Sequence, residues 1–310
     1  MIVNLPETTV SKISKELVAI REQGGAVALG RVLTLVIEAD ESGAEAAIEA
    51  ANEASREHPS RIITLISSPN TEQPRLDAEI RVGGDAGASE VIVLRAHGEA
   101  ATYPQSLVMG LLLPDAPVVA WWPGKAPSVA SLSPIGKIAT RRITDAATQD
   151  KPIEFLGQLS HNYAPGDSDF AWTRLTLWRA QFAALLDQAP HAQVESVEII
   201  GDQNNPSVAL LVSWLRQRLG CPVNLEHRDE TEGVKAIYSV RFVRDGASIE
   251  ILRNQTNIAV LTQSNQPPKE VSLPVRSLRD CLAEDLRRLD PDVAFGKVIT
   301  GFKPEPRSSE

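Results

Sequence analysis

Cysteine is nearly missing from this chain of 310 residues, which has only Cys221 and Cys281. Neither stands in a C-x-x-C pair, so the sequence carries no zinc or redox motif. Both read as plain packed or half-exposed thiols, as in a reducing compartment where structural disulfides do not persist. Long apolar runs are missing too, and none is long enough to span a bilayer. The opening "MIVNLPETTVSKISKEL" lacks the charged start and apolar centre of a secretory signal. A cytoplasmic location follows as the expectation. Basic residues are in deficit, 31 against 40 acidic ones, for a net charge of −9. A sequence-independent grip on nucleic acid needs a basic surface to displace counterions, and docking on anionic lipid needs one as well. Neither nucleic acid nor membrane is an expected partner.

The motifs of catalysis are also missing. No G-x-G-x-x-G follows a strand, no Walker loop is present, and no G-x-S-x-G elbow occurs. "PGKAPS" (123–128) has the lysine of a phosphate loop without its glycine spacing. "GDS" (166–168) superficially resembles a hydrolase motif, yet it sits directly before a helical pattern, where Asp and Ser are ordinary caps. The five histidines are scattered, and no i, i+4 pair would place two ligands on one helix face. The sequence therefore predicts no catalytic residue, no metal site and no cofactor.

What is present is a regular alternation of elements. An apolar content of 43% with 23% charged residues suits a globular protein with a sizeable core. Residues 8–23 read as an amphipathic helix with Val10, Ile13, Leu17 and Ile20 on one face, stopped by Gly24–Gly25. Strands are predicted at 31–39, 61–67, 76–82, 89–95 and 117–121. A helix follows the first of them behind a Ser42/Glu45 capping box, and another lies near 104–112. Later, 194–201 reads as a strand. Residues 206–220 read as a helix with Asn205 as N-cap, Pro206 at its first position and Gly220 at its stop. "CPVNLEHR" continues as a strand. Three more strands follow, with Asp245–Gly246 turning between the first two. Ser277 and Asp280 open a final helix. The predicted fold class is α/β: two α/β halves with mixed sheets, joined by a helical, aromatic-rich segment. The expected division is an N-terminal domain at 1–120, the aromatic segment at 121–190 packing on it, a C-terminal domain at 191–303 and a frayed tail at 304–310.

Aromatics make up only 5% of the chain, but eight of the fourteen fall between 121 and 182. In "YAPGDSDFAWTRLTLWR" (163–179), Pro165–Gly166 forces a turn, and Asp167 or Ser168 can cap the helix that follows. Ala171, Leu175, Trp178, Phe182 and Leu185 step by four and three and line a core face. Trp172 and Arg174 fall off that stripe. "VVAWWPG" ends a strand with two adjacent indoles pointing to opposite sides. "RRITDA" (141–146) is expected on a helix. Exposed Trp and Arg are the commonest anchors of protein interfaces. The predicted partner-contact residues are Trp121, Trp122, Arg141, Arg142, Asp145, Tyr163, Asp167, Trp172 and Arg174. The faces that carry them would form or support a docking surface.

A second feature is the loop "GDQNNPSV" (201–208), where a strand end meets a helix start. Free amides at a helix N-terminus can hold a phosphate, with Gly201, Asn204, Asn205 and Ser207 as the candidate anion loop. The bland alternative is that Asn205 caps the helix and nothing binds.

The blocks "PDAPVVAWWPG", "IATRRITDA", "YAPGDSDFAWTRLTLWR" and "SVALLVSWLRQRLG" occur in this order. Together they resemble the actinobacterial branch of the OpcA family, the glucose-6-phosphate dehydrogenase assembly proteins. The resemblance runs from about residue 30 to about residue 300. It implies a non-catalytic partner of glucose-6-phosphate dehydrogenase that assists its assembly and activates it allosterically, at the entrance to the oxidative pentose phosphate pathway and its NADPH supply. Thiol control, associated with cyanobacterial relatives, does not carry over onto two cysteines so far apart. A sugar-phosphate or nucleotide sensor using the 201–208 loop, and an enzyme without a recognisable motif, remain the alternatives.

Overall fold

A computed structural model describes residues 1–23, 30–70, 73–83, 89–188, 192–229, 236–253 and 255–304. In chain order its elements begin β1 (Ile2–Leu5), α1 (Val10–Gln23), β2 (Leu33–Ala39), α2 (Glu41–Ala54), β3 (Ser60–Ser68), β4 (Arg75–Arg81), β5 (Glu90–His97), α3 (Pro104–Met109), β6 (Val118–Trp121) and β7 (Arg141–Thr144). They continue α4 (Pro152–Asn162), β8 (Asp167–Asp169), α5 (Phe170–Thr173), α6 (Thr176–Leu186), β9 (Val194–Gly201) and α7 (Pro206–Leu219). Last come β10 (Val223–His227), β11 (Ile237–Arg244), β12 (Ala247–Arg253), β13 (Ile258–Gln263), β14 (Lys269–Ser272), α8 (Leu278–Arg287) and α9 (Val293–Thr300).

The chain forms two compact units that are discontinuous in sequence. The first holds residues 1–148, 164–168 and 278–292, and the second holds 149–163, 169–277 and 293–310. Residues of the 121–190 segment go to both.

The first unit is built on an eight-stranded sheet in the order β1-β4-β5-β3-β2-β6-β7-β8. β5, β3, β2, β6 and β7 are parallel, while β4 and β1 add an antiparallel edge. Taken in chain order, the five parallel strands occupy the doubly wound positions, third, second, first, fourth and fifth. β2, β3 and β5 are buried over most of their length on both faces, as strands are when helices cover both sides of such a sheet. Ile13, Leu17 and Ile20 of α1 bury into the same apolar cluster as Ile63, Leu94 and Trp122, as the helical spacing predicted. The expected stop at Gly24–Gly25 lies outside the described residues. At the opposite end of the strands Glu90, 1% exposed, accepts from Arg61 and Arg21 and lies 3.5 Å from Arg31. Arg61 and Glu90 are register partners on adjacent strands, so this charge cluster is set by the sheet itself.

The second unit carries a six-stranded sheet in the order β10-β9-β11-β12-β13-β14. β10 and β9 are parallel and the other pairs antiparallel. Arg244 pairs with Ala247 around Asp245–Gly246, and Gly246 takes a φ of +64°, which a residue without Cβ adopts freely. α7 follows its local signals closely. The Asn205 side chain accepts from the Ser207 N–H at 2.9 Å, Pro206 opens the helix, and Gly220 closes it at φ +64°. One face of the sheet is lined by Val197, Ile199, Val240, Phe242, Ile251 and Ala259, all buried. Phe182 of α6 meets Phe242 there, with ring centroids 5.1 Å apart.

Several expectations need correcting. α2 starts at Asp40, whose carboxylate accepts from the Gly43 N–H at 2.7 Å, and not at the Ser42/Glu45 box. The segment 141–146 is no helix: Arg141–Thr144 is strand β7. Asp169, not Asp167 or Ser168, caps α5 by accepting from the Ala171 N–H. α9 was not anticipated, and Phe302 beyond it is buried. The frayed tail predicted from 304 lies, apart from Pro304, outside the described residues.

Candidate functional site

The tryptophan- and arginine-bearing motifs converge on two places, one in each unit.

In the first unit β7 supplies Arg141 and Arg142. Neighbouring residues on a strand point to opposite faces, so the two guanidiniums need separate partners. Arg142 donates through Nε to Asp167, through one terminal nitrogen to the Ala139 carbonyl (2.9 Å) and through the other to the Pro165 carbonyl (2.6 Å). Asp167 in turn accepts from the Ala164 N–H at 2.8 Å, which closes the 164–167 turn on itself. Gly166 within that turn has φ +96°, and a Cβ there would stand 2.4 Å from the Thr140 carbonyl oxygen. Arg141 donates to Asp285 of α8 and to the Asp290 carbonyl. The Ser168 hydroxyl donates to the same Asp285 oxygen at 2.7 Å. Asp145 is wholly buried and accepts from the Ala147 N–H at 3.1 Å. Two buried arginines are thus each matched by a buried carboxylate and by carbonyls, the condition for keeping such charges out of water. The arrangement ties β7, the 164–168 turn and α8 together.

Trp121 and Trp122, at the end of β6, are 0% and 2% exposed. The Trp122 indole N–H donates to Glu38 Oε2 at 2.8 Å. Burial pushes the Glu38 carboxyl above its usual range, and this hydrogen bond only partly offsets it.

In the second unit an aromatic cluster gathers around Trp172. Its indole packs with Trp214 (6.4 Å) and Phe295 (6.1 Å), and Tyr163 meets Phe295 edge-on at 6.0 Å. Phe182 lies between Trp178 (5.6 Å) and Trp214 (6.4 Å). The Arg179 guanidinium lies 3.8 Å over the Trp172 ring, and that of Arg174 lies 6.0 Å over Phe170. Arg253 sits 5.0 Å over Trp178, and burial holds its pKa down to about 10. Edge-on and tilted pairs of this kind add packing energy beyond burial alone.

Seven of the nine residues expected at a contact surface are therefore interior: Trp121, Trp122, Arg141, Arg142, Asp145, Asp167 and Trp172. Only Tyr163 and Arg174 are half-buried. The stripe Ala171, Leu175, Trp178, Phe182 and Leu185 is buried as its spacing predicted. Off that stripe Trp172 is also buried, because α5 is a single short turn and its other side is packed as well. Asp285, the acid that holds Arg141, was not singled out from the sequence. Its only sign there is an acid inside an otherwise amphipathic helix.

At the candidate anion loop the amides are occupied. Asn204 N–H donates to Asp202 Oδ1 at 2.8 Å, Ser207 N–H donates to Asn205, and Gly201 is buried. The capped reading of this loop matches the geometry. The turn between β2 and α2, where a doubly wound sheet receives a pyrophosphate, holds carboxylates. Asp40 accepts from Gly43 N–H and from the Ser42 hydroxyl (2.9 Å), and Glu41 follows in the first turn. Among the described residues, no three His, Cys, Asp or Glu side chains come together to hold a metal ion. None of the described helices is long and apolar enough to cross a membrane. Of the two cysteines, Cys281 is buried and Cys221 partly so.

Residues 51–161 match the family described as the N-terminal domain of the glucose-6-phosphate dehydrogenase subunit. Residues 165–299 match the family described as its C-terminal domain. No curated protein matches the chain in sequence. Among solved structures it is similar to an oxidoreductase from Sinorhizobium meliloti, with TM-score 0.50 and 9% identity over 87% of this chain and 94% of that one. It is also similar to a myo-inositol dehydrogenase from Lactobacillus casei, with TM-score 0.45 and 9% identity over 87% and 91% of the two chains. Such low identity speaks of fold alone.

Proposed function

The chain belongs to the OpcA family of glucose-6-phosphate dehydrogenase assembly proteins, and from that membership we propose that it is a non-catalytic partner of that dehydrogenase. It acts in the cytoplasm, promotes the enzyme's assembly and activates it allosterically, so sustaining the oxidative pentose phosphate pathway and its NADPH. The observation that carries this reading is the pair of family matches, which cover both the amino- and the carboxyl-terminal parts of the chain.

The β2–α2 turn supports the non-catalytic part. In a doubly wound dehydrogenase the first strand-to-helix turn offers glycines and free amides to the cofactor's pyrophosphate. Here Asp40 fills that place with its own carboxylate, and Glu41 adds a second negative charge beside it. An incoming pyrophosphate meets repulsion where it needs donors. The sensing alternative is weakened in the same way, because the amides at the start of α7 already serve Asp202 and Asn205.

The buried motif residues take a framing role in this reading. Arg141, Arg142, Asp145, Asp167, Trp121 and Trp122 fix elements of the first unit and Trp172 fixes those of the second, where Tyr163 and Arg174 are the ones that reach a docking surface.

Activation requires the protein to bind the dehydrogenase's active state more tightly than its inactive state. A difference of about 1–3 kcal/mol gives roughly a 5- to 150-fold effect. The test measures substrate affinity and turnover of the dehydrogenase with and without this chain, alongside a direct binding assay. A complex that leaves both parameters unchanged removes activation and keeps assembly. Absence of any complex overturns the proposal, and turnover of a metabolite by the chain alone replaces it with an enzyme.

A further inference from the structure

The charge cluster at the start of β3 and β5, in the first unit, does not balance. Three arginines turn toward the buried Glu90 carboxylate: Arg21 from the last turn of α1, Arg31 just ahead of β2, and Arg61 on β3. Arg61 donates from Nε to Glu90 Oε2 at 2.7 Å, and its Nη2 lies 2.7 Å from the same oxygen. Its Nη1 donates to the Leu111 carbonyl at 2.5 Å. Arg21 holds both carboxylate oxygens, with Nε and Nη2 at 3.3 and 3.2 Å from Oε1 and Nη2 at 3.0 Å from Oε2. A carboxylate offers about four lone-pair positions. Arg61 and Arg21 fill them, and Arg31 comes no nearer than 3.5 Å.

Arg31 is therefore in surplus. Its side chain is only 20% exposed, and its Nε is closed to solvent without a hydrogen-bond partner. Among the described residues, Glu90 is the one carboxylate in ion-pair reach of these three arginines. Three cations against one carboxylate leave an excess of two positive charges, in a chain whose net charge is −9. Guanidiniums drawn this far from water are held at lowest cost when each meets an anion. The protein supplies one anion for three of them.

We propose that the missing counter-charge is a ligand, and that Arg21 and Arg31 bind a small oxyanion: the phosphate of a phosphate ester or the carboxylates of a polycarboxylic acid. Both arginines address the same Glu90 oxygen, so their guanidiniums are neighbours. One oxyanion accepts from the terminal nitrogens of both, in the forked manner by which arginine recognises phosphate and carboxylate. Arg61 and Glu90, buried as register partners, hold the two outer arginines in place. The site lies at the amino-terminal ends of the parallel strands. It is thus separate from the β2–α2 turn, where Asp40 and Glu41 turn anions away.

This inference does not depend on the partnership with the dehydrogenase, and its test uses the full chain alone. Inorganic phosphate, glucose 6-phosphate and citrate are titrated calorimetrically at fixed ionic strength. At least one is expected to bind with a Kd below about 1 mM and to raise the melting temperature. Arg31→Gln and Arg21→Gln should each weaken that binding by about tenfold or more, as loss of a charge-assisted contact does. Arg95→Gln removes another arginine of the same unit, one paired with Glu41, and should leave the affinity unchanged. Without anion, Arg31→Gln should melt no lower than wild type, since it removes a cation in excess. Tighter binding of glucose 6-phosphate than of citrate assigns the site to phosphate esters, and the reverse order assigns it to polycarboxylates. The proposal is overturned if none of the three binds, or if binding survives both Arg31→Gln and Arg21→Gln. Equal weakening by Arg95→Gln also overturns it, by showing a general charge effect. So does a lower melt for Arg31→Gln, which makes Arg31 a structural partner of Glu90.

Discussion

At the scale of single residues, the interior arginines of β7 are the most consequential. Asp285 is the carboxylate that meets Arg141, so Asp285→Ala leaves a guanidinium buried without its counter-charge. The expected loss is about 3–5 kcal/mol in urea unfolding. Replacing both by apolar residues of similar volume restores most of it, since an absent charge needs no partner. Arg142→Lys is costly for a different reason: one ammonium cannot serve Asp167 and the Ala139 and Pro165 carbonyls from three directions, as the guanidinium does. Glu38 behaves in the opposite sense. Its carboxyl pKa is raised in the folded chain, so the native state holds that proton to higher pH than the unfolded chain does. Ionisation therefore penalises folding. The penalty is complete above the folded pKa and vanishes as pH falls below the ordinary carboxyl value near 4.5. Glu38→Gln keeps an oxygen for the Trp122 indole N–H. It is expected to raise the melting temperature at neutral pH, with a gain that fades on acidification. A gain that instead grows toward low pH contradicts the burial account.

At the scale of elements, legibility follows from how far away the deciding partner lies. Every signal for α7 is local, from the Asn205 cap to the left-handed Gly220, and the sequence located the helix to the residue. Asn205→Ala and Gly220→Ala should each cost about 1 kcal/mol, read as a lower urea midpoint at constant slope. β7 carries no such signal. Two adjacent arginines look like a solvated helix face until Asp167 and Asp285 are known to meet them, and those lie 25 and 144 positions downstream. The same holds for the indoles. Their crowding was visible, but whether they turn outward depends on Trp214, Phe242 and Phe295, which arrive from other elements. Trp172→Ala is accordingly expected to cost about 3–5 kcal/mol of stability, as a large core truncation does. Arg174→Ala should leave the melt nearly unchanged and, as a contact anchor, weaken binding to the dehydrogenase by about 2 kcal/mol. Strand β14 and helix α9 escaped notice because short runs such as "VAFGKVIT" fit helix and strand alike.

At the scale of the whole molecule, the α/β class and both mixed sheets were legible, because alternation of strand and helix is a property of long stretches. The partition into units was not, since it rests on side chains that meet across the sequence. α8 belongs with the first unit: it packs on α2, brings Asp285 to Arg141 and Ser168, and sets Arg287 3.4 Å from Glu57. A chain ending at residue 277 is therefore expected to keep its secondary structure by circular dichroism but to bind a hydrophobic dye and melt without cooperativity. The ribosome makes Arg141 and Arg142 when their carboxylates do not yet exist. Asp167 follows soon, but Asp285 comes only 144 residues after Arg141. The amino-terminal part cannot be finished first and set aside, as consecutive domains usually are. It must wait, open, through the making of its neighbour, and any factor that shelters nascent chains will find it exposed for most of that time.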